Sequence, residues 1–464
     1  MLVKCVPLAL PPDTALADLL PDADIVAWLH GDDGMVGWGQ AFAVQLPALH
    51  QFPAAKKAWQ ELVAAATIID EVGVFGSGLV GFGSFCFDPK SEAGAVLVVP
   101  RVLVGRRGSV SWLTTVDADV SAETILAAPE EPVRAPFDVV ESAPEGDDWQ
   151  VERTVWKAAV EEALARIAAG DAQKVVLARE ITLTAPAPFS ATWAVKQLAH
   201  RFADTWNYAI DSFVGATPEM LVSVRDGLVT SLVLAGTAPI PADADDEKIT
   251  FLASKLLDSQ GDQEKHAIAI DNVANAIAPL CHNVKVSEPE ILELPNVLHL
   301  ASWITGEYAD PQNAITSLYL AGILHPPAAV CGTPTAAALD IIRDLELFDR
   351  GRYAGPVGWI SANGDGEWGI ALRGAHLVGS QARLFAGCGI APGAQPGQEL
   401  LESEAKLAPM RWALGAFGDP LDQTDDASEA DEVSDAGEAS EATDGSGAAG
   451  AKTPRQPALR LIKG

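Results

Sequence analysis

The stretch GPVGWISANGDGEWGIALRGAHLVGSQARLFAGCGIAPGAQPGQELLESEAK, residues 355–406, holds three apolar runs of strand length: GPVGWISA, EWGIALRGAHLV and ARLFAGCGI. Runs of this kind separated by glycine-rich punctuation predict a three-strand antiparallel meander, with the NGDG of Asn363–Gly366 as its first turn. A closing helix follows the AGCGIAPG strand end. On it Glu399, Glu402 and Lys406 stand at i, i+3 and i+7, within about 60° of arc. Two carboxylates sharing a face repel by a few tenths of a kcal/mol unless a cation sits between them. A hard divalent ion is the natural candidate, and Lys406 could then hold an anionic substrate that the metal also touches. Alone, the triplet reads more readily as a solvated polar face.

Outward from this block, the same alternation of strand runs and helices recurs. Residues 149–169 repeat apolar positions at helical spacing, and Gly170 is a stop signal. The strand AQKVVLAREITLTA follows, and MLVSVRDGLVTSLVLAG reads as a hairpin turning at Asp226-Gly227. Helices are expected at 245–257, 262–278, 312–322 and 334–345, with strands at 284–292 and 297–308. Residues 1 to about 140 read as short antiparallel strands around one helix near 54–66, and 129–148 as a linker or long surface loop. Strands in meanders and helices in runs predict an α+β fold with largely antiparallel sheets, not a doubly wound parallel sheet.

Composition narrows the function classes. The 464 residues are 48% apolar and 20% charged, as in an ordinary globular protein. No apolar run approaches membrane-spanning length, and the N-terminal MLVKCVPLALPPD reads as a first strand rather than a signal peptide. Five separated cysteines with no CxxC pair predict reduced, buried thiols in a cytoplasmic protein and no zinc site. A net charge of −32 argues against nucleic-acid or anionic-membrane partners. Between Asp419 and Asp444 stand eleven acidic residues and no basic one, which predicts an unfolded tail. Elsewhere the chain is still acidic, so an anionic substrate needs locally placed cations.

Four segments together, KVVLARE (174–180), FVGATPEML (213–221), LAGTAP (234–239) and the 355–406 block, with HLASWITG (299–306) in support, resemble the chorismate-utilising enzymes. The likeness keeps motif order over residues 150–415 and is strongest toward the isochorismate-forming branch, which serves menaquinone or catechol siderophore synthesis. It implies one monomeric α+β unit with two mostly antiparallel sheets flanked by helices around one active site. Residues 1–148 would form its N-terminal part, 149–418 the chorismate-binding region and 419–464 the acidic tail. It also implies Mg2+ as cofactor, with Asp262, Glu399 and Glu402 as ligands, and chorismate as the small-molecule partner. Lys174 would be the general base toward water, which requires a pKa lowered by desolvation, and Glu219 the acid protonating the departing C4 hydroxyl. Gly236, Thr237, His299, Arg373, Gly387 and Lys406 would bind substrate, with Gly389 allowing close backbone approach. Each has a plainer reading: a strand-end lysine reaching for solvent, a surface glutamate after Pro218, a satisfied core histidine. Anthranilate and aminodeoxychorismate synthases generally lack the lysine. Salicylate synthase shares both Lys174 and Glu219, so no residue separates it.

One segment departs from the family pattern. Where a helix start resembling K-D-x-x-E-H is expected, the chain reads GDQEKH over residues 261–266, with Lys265 at the position of the second glutamate. An ammonium about 4 Å from a divalent ion repels it by several kcal/mol at an effective dielectric of roughly 20. Glu264 could substitute, Lys265 could neutralise the carboxylates without metal, or the chain could be a non-catalytic chorismate-binding paralogue. Pro327 is a second departure, expected to alter a loop.

Overall fold

The computed structural model describes residues 1–126, 139–142, 149–241, 244–308, 315–416 and 461–462. Among these, 22 strands and nine α-helices form an α+β architecture in which a single ladder, Leu2–Pro7 with Thr67–Asp70, is parallel. No described helix is long and apolar enough to cross a membrane. All five cysteines are buried and free.

The interior divides in two. The strand Lys174–Thr184 spans both parts, with Val175 and Leu177 near its start in one apolar cluster and Ile181 and Leu183 further along in the other. Along Ile25–His30, Val26 and Trp28 face the first cluster while Ala27 and Leu29 face the second. This is the period-2 geometry of a sheet covered on both faces. The N-terminal strands are hydrogen-bonded into the rest: Ile25–His30 pairs with Trp206–Ile210, and Val80–Ser84 with Pro356–Ser361.

Most expected elements are present. The helix Trp149–Ala169 ends at Gly170, whose φ of +89° suits a residue without Cβ. Asp226 and Gly227, at φ +50° and +83°, turn the hairpin between Met220–Arg225 and Leu228–Pro239. Three expectations change. EWGIALRGAHLV is two strands, Gly366–Ile370 and Gly374–Val378. Its apolar pattern runs unbroken through Ala371 and Leu372, but Arg373 takes φ +47° and the halves join different neighbours. The facing glycines Gly215 and Gly374 leave room there for Tyr208, whose hydroxyl donates to the Leu372 carbonyl at 3.0 Å. The expected strand 284–292 is likewise two, Cys281–Val286 and Glu290–Glu293, because Pro289 has no N–H for the ladder. The helix expected from 312 runs Ser317–Leu324, with Thr316 Oγ1 accepting the Tyr319 N–H. The linker at 129–148 lies largely outside the described residues. So does the acidic tail, save for Leu461–Ile462, which pairs with Leu292 and Ile291.

Candidate active site

The strands and two helices converge on a cavity of about 880 Å³, counted to its open mouth. Lys174, Glu219, Gly236, Thr237, Asp262, His299, Arg373, Gly387, Glu402 and Lys406 all line it, with Gly389. Glu399 is buried just behind this lining.

Lys174 opens its strand and is 4% exposed, so the solvent-reaching reading does not hold. A strand of Gln381–Ile390 runs antiparallel beside it, setting Gly389 opposite Val176. A Cβ on Gly389 would lie 3.0 Å from Lys174 Cε, so this glycine makes the space in which the ammonium sits. Burial, followed by the nearby charge of Lys265, lowers the Lys174 pKa to about 8. Glu219 stands between strands Phe213–Thr217 and Met220–Arg225 and is 5% exposed. Burial raises its carboxyl to about 8, against the opposing pull of a Leu234 N–H and Lys174. The cavity thus holds a lysine that loses its proton and a carboxylic acid that keeps one in the same pH range.

A second group fixes an anion-binding wall. A bulge between Ala235 and Thr237 leaves Gly236 at φ +82°, and Thr237 lies directly across from His299. His299 Nδ1 is 3.1 Å from Thr237 Oγ1 and 3.3 Å from the Gly236 carbonyl. Arg373 Nη2 donates to His299 Nε2 at 3.1 Å. Burial and the Arg373 charge hold His299 well below its ordinary pKa. It is therefore the neutral tautomer with Nδ1–H, an orienting group rather than a proton carrier. The left-handed turn at Arg373 is what turns that side chain inward.

The third group lies on the helix Pro396–Ala413. Lys406 Nζ donates to Glu402 Oε1 at 2.5 Å and to the Gly387 carbonyl at 2.8 Å. Burial and Glu402 push the Glu399 carboxyl up to about 7. Among the described residues, the side chains close enough to share one ion are Cys388, Glu399 and Glu402, their ligand atoms within 4.8 Å of one another. Asp262 is not in that group. Its Oδ2 accepts from Ser259 Oγ, the helix cap, at 2.6 Å. Glu264 is exposed and accepts from Gln260, so it does not replace a missing ligand. Lys265, in contrast, lines the cavity.

Sequence reasoning missed Arg350 and Tyr353 in the wall. Arg350 donates to the Val176 and Val330 carbonyls and pairs with Glu346, which also accepts the Ala178 N–H. This brace holds the strand that begins with Lys174. Arg350 stands five residues and Tyr353 two residues ahead of Gly355, and no local pattern there marks either as a wall residue.

A family profile described as "Chorismate binding enzyme" matches residues 28–415. Isochorismate synthase DhbC of Bacillus subtilis is 38% identical over 288 residues, 60% of this chain and 70% of that protein. The salicylate biosynthesis isochorismate synthase of Pseudomonas aeruginosa is 32% identical over 415 residues, 84% of this chain and 85% of its own. A solved structure, the putative 2,3-dihydroxybenzoate-specific isochorismate synthase DhbC from Bacillus anthracis, superposes with a TM-score of 0.69 at 26% identity. It covers 87% of this chain and 99% of its own.

Proposed function

Because the chain belongs to the chorismate-binding enzyme family, we propose that it is an isochorismate synthase, interconverting chorismate and isochorismate. The observation that carries this reading is the burial of Lys174 and Glu219 in one cavity, each titrating near 8. Unprotonated Lys174 takes a proton from water as the water oxygen attacks C2. The ring double bond shifts, the C4–O bond breaks, and Glu219 gives its proton to the departing oxygen. One water is consumed and one released, with no change in oxidation level. In the reverse direction the two side chains exchange tasks. Each such proton transfer contributes a factor of about 10²–10⁴.

Arg373 and Lys406 are the cations proposed to bind the substrate carboxylates, with His299 keeping the Arg373 guanidinium in place. Thr237 and the Gly236 backbone are proposed to contact ring substituents. Gly387, where a Cβ would sit 3.1 Å from Tyr353 Oη, keeps the wall open. Residues 1–148 and 149–418 are proposed to act as one unit, and the product to feed menaquinone or siderophore synthesis.

Enzymes of this family generally use Mg2+. The residues here do not fit such an ion as a resident cofactor. Asp262 does not converge with Glu399 and Glu402, the third member of their cluster is a neutral thiol, and a hard ion takes oxygen ligands. Lys406 already occupies a Glu402 oxygen, and Lys265 adds an ammonium to the same cavity. No step above runs through a metal.

Product analysis of the purified protein with chorismate, with Mg2+ and with EDTA, tests the reading. Isochorismate supports it. Salicylate with pyruvate would replace it with a salicylate synthase, and no product under either condition would leave a chorismate-binding paralogue.

A further inference from the structure

Lys265 is a lining cation that the proposed reaction leaves without a task. It follows Asp262 by one turn on the helix Gln260–Ile277, so both side chains share the helix face toward the cavity. Apart from the base Lys174, the other cations are engaged: Lys406 by Glu402 and a carbonyl, Arg350 by Glu346 and two carbonyls, Arg373 by His299. Among the described residues Lys265 has neither a hydrogen bond nor an ion pair. Its charge is nevertheless felt across the cavity. It is the foremost charge depressing Lys174, second only to burial, and the leading cation acting on Glu399.

Arg350 is neutralised by Glu346 behind the wall, which leaves four lining cations, Lys174, Lys265, Arg373 and Lys406, against three carboxylates, Glu219, Asp262 and Glu402. With Lys174 and Glu219 both neutral, as the reaction requires, the surplus of one positive charge is unchanged. Without Lys265 the lining has no surplus cation to meet an anionic substrate.

We infer that Lys265 is a built-in substitute for a divalent cation. Its ammonium receives a carboxylate of the dianionic substrate on the side of Glu399 and Glu402, and the protein binds and converts that substrate without metal. The substrate's identity rests on the isochorismate synthase reading.

Full-length protein stripped with EDTA provides the test, with chorismate binding followed by calorimetry and turnover by chromatography. The expected result is a Kd and a rate within about twofold of those at saturating Mg2+, and no Mn2+ bound by the free protein in a spectroscopic titration. Lys265→Gln is expected to weaken chorismate binding about 10- to 100-fold, the worth of one charged hydrogen bond, with no rescue by Mg2+. Lys265→Glu is expected to make binding metal-dependent, weak in EDTA and recovered with Mg2+, with Mn2+ now retained. Unchanged thermal unfolding verifies that both variants are folded, and the wild-type arm needs no variant. Tight Mn2+ binding by the wild type with chorismate affinity lost in EDTA overturns the inference. So does an unchanged Kd in Lys265→Gln, or no chorismate binding under any condition. Chorismate that binds without metal but is never converted leaves Lys265 as the binding cation and overturns metal-free conversion together with the synthase reading.

Discussion

The strand Lys174–Thr184 and the helix Pro396–Ala413 each carry two sets of charges, and the sets are treated differently. Away from the cavity, Arg179 grips Glu152 with two bonds of 2.7 and 2.8 Å and also bonds Ser403 and Glu404. Arg411 completes the chain with Glu404 at 2.6 Å and Glu141 at 2.6 and 2.8 Å. Burial works against the Glu404 carboxylate, yet Arg411 and Arg179 hold it below the usual range. At the cavity end Lys174 is as buried as Arg179, 4% against 3% exposed, but has no anion within ion-pair distance among the described residues. There burial wins, and Lys174 drifts down as Glu219 drifts up. Burial alone does not distinguish a structural charge from a reactive one; the presence of a partner does.

The sharpest way to break this contrast is to delete one charge from each set. Lys174→Ala is expected to lower kcat by about 10²–10⁴ with thermal stability retained or raised, because an unpaired buried ammonium contributes nothing to folding. Near-normal steady-state turnover in this variant would sink the mechanism. Glu219→Gln should behave alike. Arg179→Met is expected to do the reverse. It leaves Glu152 buried without its cation and should cost about 3–5 kcal/mol in denaturant unfolding. The fraction still folded should turn over within a few-fold of the parent. A variant that kept its stability and lost only kcat would move Arg179 into the reactive set.

The pH dependence sharpens the comparison further. Lys174 works as a base only above its pKa of about 8, and Glu219 donates only below its own of about 8. The profile of kcat/KM should therefore be a bell centred near pH 8, falling about tenfold per unit on either side. Stopped assays from pH 6 to 10 check it. A plateau reaching pH 6 would mean that Lys174 is not the base.

Much of this was legible in the residues because it is local. The apolar run in KVVLAR, the Asp226-Gly227 turn and the Gly170 stop depend on immediate neighbours, and all three are present. The motif residues also meet in one cavity, since motif order carries tertiary information that periodicity lacks. What stayed hidden was long-range. The split of EWGIALRGAHLV follows from Tyr208 packing against Gly374, a contact between strands far apart in sequence. The failure of Asp262 to join Glu399 and Glu402 reflects where one helix lies against another element, which i, i+3 spacing cannot encode. Arg350 was unreadable for the same reason, since its partners are carbonyls 20 and 174 residues away.

The smallest expected effect tests how finely the unpaired base is placed. Gly389 lies opposite Val176, and the atoms a Cβ there would meet within 4 Å are Lys174 Cε at 3.0 Å and Nζ at 3.6 Å. Gly389→Ala therefore presses on the tip of the base and on little else. The flexible stem yields by a few tenths of an ångström, so folding should change by no more than about 0.5 kcal/mol. Misplacing a reacting group by about 1 Å can cost 10²-fold, so a shift of this size should lower kcat about three- to tenfold. The added methyl also desolvates the ammonium further, which lowers the Lys174 pKa and moves the acid limb of the bell toward lower pH. Gly387→Ala is the matched control on the same strand. Its Cβ would meet Tyr353 Oη at 3.1 Å and the Leu177 carbonyl at 3.2 Å, away from the base, so it should raise KM and leave the acid limb where it was. Identical pH profiles for the two variants would mean that neither glycine is shaped around Lys174.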